Sequence, residues 1–233
     1  MKNKQLFNML KINPSAKKAL IESYNSRGFF KSFEIKQPVK FDQPYPLLTN
    51  PFIDWITSWD LSKSTYLEIG SGASTIYFQK YFQSITSIEP NIQFYNDLKP
   101  KLNKNVNYKN ISKSTLEDGY FNVNDYYDFC LIDYNLHRHS LVSELLKKSK
   151  FAYLIFDTTE QYPNTCELIK DNGYTTQIDF WGFKNTHSWE TCTSVFINDD
   201  IKVRLNKVNR YPAPMALKLY HNIEQDYEKI PTK

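Results

Sequence analysis

Thr65-Tyr66-Leu67-Glu68-Ile69-Gly70-Ser71-Gly72-Ala73-Ser74-Thr75 is the stretch on which the reading of this chain turns. Residues 66–69 read as a short strand, which runs directly into two glycines and then into a segment with helical spacing. A glycine-containing turn between a strand and a helix suits a nucleotide-type ligand. Glycine lets the backbone approach closely, and the N-terminus of the following helix favours a carboxylate or phosphate. The chain has only 6 glycines in 233 residues, less than half the usual share of about 7%. Two of them at Gly70 and Gly72 form a pattern rather than background.

Outward from that turn, strands and helices alternate. Residues 74–82 read as a helix, 85–88 as a strand ending at Glu89-Pro90, 92–102 as a helix and 106–111 as a strand. Residues 126–132 read as a buried strand ending at Asp133, 140–148 as a helix, 151–156 as a second buried strand ending at Asp157, and 162–172 as a helix closed by Gly173. Such alternation predicts a parallel sheet with right-handed crossovers. Beyond Gly173, residues 175–181 and 191–197 are strand-like with no room for a crossover helix between them, so they should pair as an antiparallel hairpin. Upstream, 15–26 reads as a helix, followed by an extended stretch carrying Pro38, Pro44 and Pro46. Asn50-Pro51 then opens a further helix, with Asn50 as N-cap and Pro51 at N1. The expected division is an N-terminal helical extension or lid over 1–60, an α/β core over 61–198 and a polar, Tyr-rich tail over 199–233.

Composition excludes several classes. Hydrophobic residues make up 41% and charged residues 23%, a globular balance. The net charge of +4 is modest for a dedicated nucleic-acid binder. The longest apolar run, around 151–156, is too short to span a bilayer. No apolar segment follows the basic first residues, so no secretory leader is expected. Cys130, Cys166 and Cys192 are an odd, widely spaced set that makes neither a disulfide framework nor a zinc site. They read as buried small hydrophobes in a reducing, cytoplasmic setting.

Glu89 ends the strand after the glycine turn, about 20 residues on, where an acid commonly takes ribose hydroxyls. Two features depart from a dinucleotide loop: Thr75 stands in place of the third glycine, and Glu68 lies two residues before Gly70. An acid two before a G-x-G, with a second acid after the next strand, resembles the class I S-adenosylmethionine-dependent methyltransferases over roughly 45–197. The resemblance implies a Rossmann-like seven-stranded mixed sheet in order 3-2-1-4-5-7-6, the last strand antiparallel, with helices on both faces. It implies S-adenosyl-L-methionine as cofactor and S-adenosyl-L-homocysteine as product. The first loop, with Glu68, Gly70, Ser71, Gly72 and Ser74, would wrap the methionine part, and Glu89 would hold both ribose hydroxyls. Ser112, after the third strand, would meet the adenine.

Further segments are similar to one bacterial subgroup found among glycan and secondary-metabolite genes. They are residues 44–51, 132–139 and 156–160, and Asp179-Phe180-Trp181-Gly182 followed by Thr193-Ser194-Val195-Phe196. In that subgroup's Asp-x-x-His-Arg-type segment His137 aligns with the His, and it is read with Asp133 as the catalytic pair. Transfer to oxygen needs the acceptor proton removed, and histidine titrates near neutrality. Asp133 lies at the carboxyl edge of the sheet, where ligands bind in open α/β folds, and is read also as a cofactor residue. Tyr45, Thr49, Arg138, Asp157 and Trp189 are candidates for the substrate side; Trp181 is read as core. Asp133 and Asp157 are the pair that would hold Mg²⁺, but a hard cation wants more oxygen ligands than two carboxylates supply, and no metal is expected.

The expected activity is therefore methyl transfer to a hydroxyl of a small molecule or saccharide. Three alternatives stay open. A nucleic-acid methyltransferase usually carries an Asn- or Asp-Pro-Pro-aromatic segment where Asp133-Tyr134-Asn135-Leu136 stands. A nicotinamide oxidoreductase would want the third glycine. A non-catalytic module that binds the cofactor is the third.

Overall fold

The computed structural model describes residues 14–134 and 137–201. The first 13 residues, Asn135, Leu136 and the tail from 202 onward lie outside the described residues. In chain order the elements are α1 (Pro14–Ser26), α2 (Phe29–Ile35), β1 (Val39–Lys40), β2 (Gln43–Pro44), α3 (Asn50–Ile56), β3 (Thr65–Ile69), α4 (Ala73–Phe78), β4 (Ser84–Glu89) and α5 (Ile92–Leu98). They continue with β5 (Val106–Asn110), α6 (Lys113–Glu117), β6 (Tyr126–Ile132), α7 (Arg138–Lys148), β7 (Lys150–Asp157), α8 (Pro163–Asp171), β8 (Thr176–Phe183) and β9 (Glu190–Ile197).

Strands β3 to β9 form one sheet in the order β5-β4-β3-β6-β7-β9-β8. Counted from the first strand of that sheet this is the expected 3-2-1-4-5-7-6. The pairs from β5 through β7 are parallel, and β9 runs antiparallel to both β7 and β8. Strands β6 and β7 lie centrally and are covered on both faces, which is why they read as almost unbroken apolar runs. Period-two alternation sends Cys130 and Ile132 to one face, against Leu141, Leu145 and Ile169. It sends Phe129 and Leu131 to the other, against Phe52, Ile56 and Phe82. All three cysteines are buried and free, as expected. Among the described residues no helix is long and apolar enough to cross a membrane.

The departures have local causes. Residues 29–35 form helix α2 instead of extended chain, entered through Gly28 in the left-handed region at φ 76°. The helix expected to run to residue 102 stops at Leu98 and continues as a single 3₁₀ turn containing Pro100, which has no N–H for the α-helical ladder. The cap position of α3 is Thr49, not Asn50, and its side chain makes no capping bond. Thr49 Oγ1 donates to the Phe180 carbonyl at 2.9 Å, and Asn50 Nδ2 donates to the Phe183 carbonyl at 2.9 Å. Both side chains tie α3 to β8, a use that local spacing does not reveal. Trp181 is not core: β8 is an edge strand, and the ring is 55% exposed.

Strand β3 is flanked by β4 on one side and β6 on the other, so the chain reverses its direction of travel across the sheet at this point. The loops after β3 and β6 meet there. Gly70 N–H donates to the Ile88 carbonyl at 3.0 Å, and Asp133 N–H donates to the Ile69 carbonyl at 3.0 Å. Gly70 has φ 90°, and a Cβ on it would lie 2.2 Å from the Asp133 carbonyl oxygen. Both the left-handed backbone and the backbone clash oppose any side chain. Gly70→Ala is therefore expected to cost about 3 kcal/mol or more, measured as a lowered urea midpoint at unchanged slope.

Candidate functional site

The loop after β3 is built on a buried carboxylate. Glu68 is 0% exposed. Its Oε1 accepts from Ser74 Oγ at 2.5 Å, and its Oε2 accepts from Thr75 Oγ1 at 2.5 Å and from Ser87 Oγ at 3.0 Å. Thr75 Oγ1 in turn accepts from Gly72 N–H at 3.0 Å. The residue standing where a third glycine would be is thus the link that holds the loop to its carboxylate. Glu68 lies beneath the loop, with both oxygens engaged by the chain itself. Burial raises its carboxyl to about 7 against the lowering effect of the three hydroxyls, and Asp133 adds a smaller upward push.

Above this base the cleft opens. A volume of about 520 Å³ is walled on one side by Ser71, Gly72, Ala73, Ser74 and Ile76, and on another by Phe94, Asp97, Leu98 and Lys101. Gln37, Pro38, Val39, Pro44 and Leu47 face it from the N-terminal segment, and Asp133 lies at its floor. A second hollow of about 360 Å³ shares Ser71, Phe94 and Asp133 with the first and adds Gly70, Glu89, Pro90, Asn91 and Tyr134. Gly72 has an extended backbone at φ 173°, which any residue adopts. A Cβ there would meet nothing within 4 Å, so the missing side chain keeps space free above the loop.

Glu89 closes β4 at the edge of this cleft. Its Oε2 accepts from Ser71 N–H at 3.2 Å and from Ser71 Oγ at 2.8 Å, and its Oε1 accepts from Asn91 N–H at 2.8 Å. Asp133 lines both volumes, with its side chain 29% exposed. Enclosure by protein, and next the Asp157 charge, raise its carboxyl to about 6; Arg138 and Lys184 oppose them.

The other sequence candidates are placed differently. Arg138 is 4% exposed and bonds the Tyr134 and Asp157 carbonyls. Its Nη2 reaches Asp133 Oδ1 at 3.5 Å, and its guanidinium lies 4.7 Å from the Tyr162 ring centroid. It clamps the ends of β6 and β7 together. Asp157 is 1% exposed. It accepts from Thr193 Oγ1 at 2.7 Å and Thr158 Oγ1 at 2.9 Å, and pairs with buried Lys184. That charge is balanced within the protein. Among the described residues no group of three or more His, Cys, Asp or Glu side chains could hold a metal. Thr49 is fully buried, and Tyr45 packs edge-on against Tyr77 at 5.4 Å in the core. Ser112 caps α6, accepting from Thr115 N–H at 3.2 Å, and lines a separate hollow with Lys109, Tyr120 and Phe121. His137 is exposed and left-handed at φ 47°, immediately before α7. Trp189 is 57% exposed and meets His187 edge-on at 4.7 Å.

Several residues escaped the sequence reading. Lys184, the buried partner of Asp157, carries no motif, and Thr193, its other partner, was read only as part of a resemblance segment. Phe94, Leu98 and Ile76 gave only helical periodicity. The prolines of the entry segment did signal non-helical chain, and two of them, Pro38 and Pro44, line the cleft.

No family model matches the chain, and no curated protein does. Similar solved structures include the precorrin-6y C5,15-methyltransferase of Geobacter metallireducens, at 15% identity over 67% of this chain and 94% of that one, with a TM-score of 0.48. They also include the N-methyltransferase NodS of Bradyrhizobium japonicum, at 13% identity over 64% and 92%, with a TM-score of 0.49. NodS in complex with S-adenosyl-L-homocysteine matches at 13% over 59% and 79%, with a TM-score of 0.42. At these identities and overlaps the likeness carries no inference about chemistry.

The pH dependence of stability should report on Glu68. Its native pKa, about 7, lies above its ordinary value of 4.5, so the native state holds this proton more tightly than the unfolded chain. The resulting stabilisation is complete below about 4.5 and is lost as the pH rises through about 7. Wild type should therefore gain on Glu68→Gln by on the order of 2 kcal/mol between pH 8 and pH 5. Urea unfolding of both proteins at the two pH values checks the sign.

Proposed function

We propose that this chain is an S-adenosylmethionine-dependent methyltransferase acting on a hydroxyl of a small molecule or glycan. The observation that carries the reading is the pairing of a braced glycine loop with Glu89 across one cleft, at the point where the chain changes direction in the sheet. The residues present suit such a cofactor. Gly72 leaves room above the loop for the methionine part. Glu89 lines the adjoining hollow as an acceptor for a ribose diol, and Phe94 offers an apolar wall common to both volumes.

When bound, the cofactor would supply an electrophilic methyl group on a sulfonium: an acceptor oxygen freed of its proton would bond to the methyl carbon as the carbon–sulfur bond breaks, and S-adenosylhomocysteine would leave as the neutral thioether. Asp133 is the residue proposed to take that proton. It lines both volumes, and a carboxyl raised to about 6 is ionised at neutral pH yet basic enough to accept a proton. His137, exposed beside it in the chain, is the second proposed base. Asp157 and Arg138 serve as supports of that edge: each is held by several bonds within the protein. Residues 37–47 are proposed as a wall or lid over the cofactor, since five of them line the cleft.

Thermal unfolding with S-adenosylhomocysteine, S-adenosylmethionine and NADH in parallel tests the reading. The first two should stabilise the protein, by about 2.7 kcal/mol at 100-fold over Kd, and NADH should not. Gly72→Arg should abolish the shift while leaving the ligand-free midpoint near wild type, because its side chain starts in open space. A missing shift with both adenosyl ligands overturns the proposal. With an accepted hydroxyl substrate in hand, Asp133→Asn should lower turnover by about 10²–10⁴-fold and leave homocysteine-ligand binding in place.

A further inference from the structure

The Ser71 hydroxyl stands at a fork. It lies 2.8 Å from Glu89 Oε2 and 2.8 Å from the Tyr108 hydroxyl. Its single proton has two acceptors within reach, one of them the carboxylate that the proposed function assigns to a ribose diol. Glu89 is meanwhile held on both oxygens by donors of the chain itself, Ser71 on one and Asn91 N–H on the other. A diol arriving at Oε2 has to displace the Ser71 hydroxyl. A displaced donor left without a partner in a part-buried site costs most of its desolvation energy.

We propose that Tyr108 is a positioning residue of this site: its oxygen is the alternate acceptor to which Ser71 O–H turns when Glu89 takes a vicinal diol. The inference rests on the reading of Glu89 as the ribose ligand. Tyr108 is fixed for this role. It lies on β5 opposite Ser87 of β4, one of the hydroxyls that hold Glu68. Its ring stacks on Tyr95 at 4.5 Å and 25°. Burial and the neighbouring Glu89 charge push its phenol up to about 12, so it stays neutral, able to accept from Ser71 and to donate its own proton outward. In one arrangement Ser71 donates to Glu89; in the other it donates to Tyr108, and Glu89 Oε2 receives the diol. No hydroxyl is orphaned in either.

Calorimetric titration of S-adenosylhomocysteine into wild type, Tyr108→Phe, Ser71→Ala and the double variant decides the matter. Phenylalanine keeps the ring stack on Tyr95, so folding is preserved. Tyr108→Phe should weaken binding about three- to tenfold, the scale of one net hydrogen bond. Ser71→Ala removes the competing donor, and its own affinity is the reference for the double variant. Adding Tyr108→Phe to Ser71→Ala should then have no further effect. Unchanged binding in Tyr108→Phe, or the same weakening with and without Ser71, overturns the inference while leaving the proposed function standing. A folded wild type that does not bind, or a Glu89→Gln variant that binds as tightly as wild type, overturns the reading of Glu89 and this inference with it.

Discussion

A carboxylate with no exposed surface that accepts three hydroxyl bonds is the constraint from which the cleft is built. A carboxyl group buried in this way, protonated or not, is costly without hydrogen-bond partners. The donors come from α4 through Ser74 and Thr75 and from β4 through Ser87. One residue of β3 thereby fixes where the helix starts and how the neighbouring strand sits beside it. Thr75 passes the constraint on to Gly72 N–H, which ties the start of α4 to the same carboxylate while a Cβ at Gly72 would meet nothing within 4 Å.

A second polar tie organises the opposite half of the sheet edge. Arg138, Asp157, Lys184 and Thr193 knit the ends of β6, β7 and β9 to the segment following β8, with Arg138 bonding two carbonyls and Asp157 held by a buried ammonium and two hydroxyls. A buried pair of this kind is weak support for stability in itself. Its visible effect here is geometric, since it holds the strand ends around Asp133. Asp133 is the charged member of the group with its side chain partly exposed, and it is the one that faces the cleft. The two ties divide the carboxylates of this edge into those that hold the scaffold, Glu68 and Asp157, and those that line the cleft, Glu89, itself only 6% exposed, and Asp133.

The N-terminal segment completes the enclosure. Asn185, beyond β8, donates to the carbonyls of Arg27 and Val39, and Arg27 makes a two-pronged pair with Asp54 at 2.7 and 3.0 Å. Pro38 and Val39 are held over the glycine loop from the far side of the sheet edge. The cleft wall is drawn from positions between Gln37 and Asp133 and is tied down by Asn185, more than a hundred residues beyond Val39.

The legible part of this molecule was its order of elements. The alternation of short apolar strands with helices, the hairpin lacking room for a crossover, and two glycines after a strand are properties of neighbouring residues, and they led to a parallel sheet with an antiparallel end; the strand order that β3 to β9 adopt was what the family resemblance implied. The cleft position followed from the same source, because a change of direction in a parallel sheet places it. The fate of individual side chains was not legible. Asp157 and Asp133 each end an apolar strand and look alike in sequence, yet one is closed off by Thr193 and Lys184 while the other lines the cleft. Thr49 looked free to contact a ligand and is bonded to β8, and the cap that Ser112 makes on α6 was not visible in its spacing. Sequence by itself determined which segments are strands and helices and that the sheet is mainly parallel with an antiparallel end, because strand and helix periodicity is local. Only the tertiary structure decided which polar groups remain available there, because a group is used up by partners that the fold brings from distant parts of the chain.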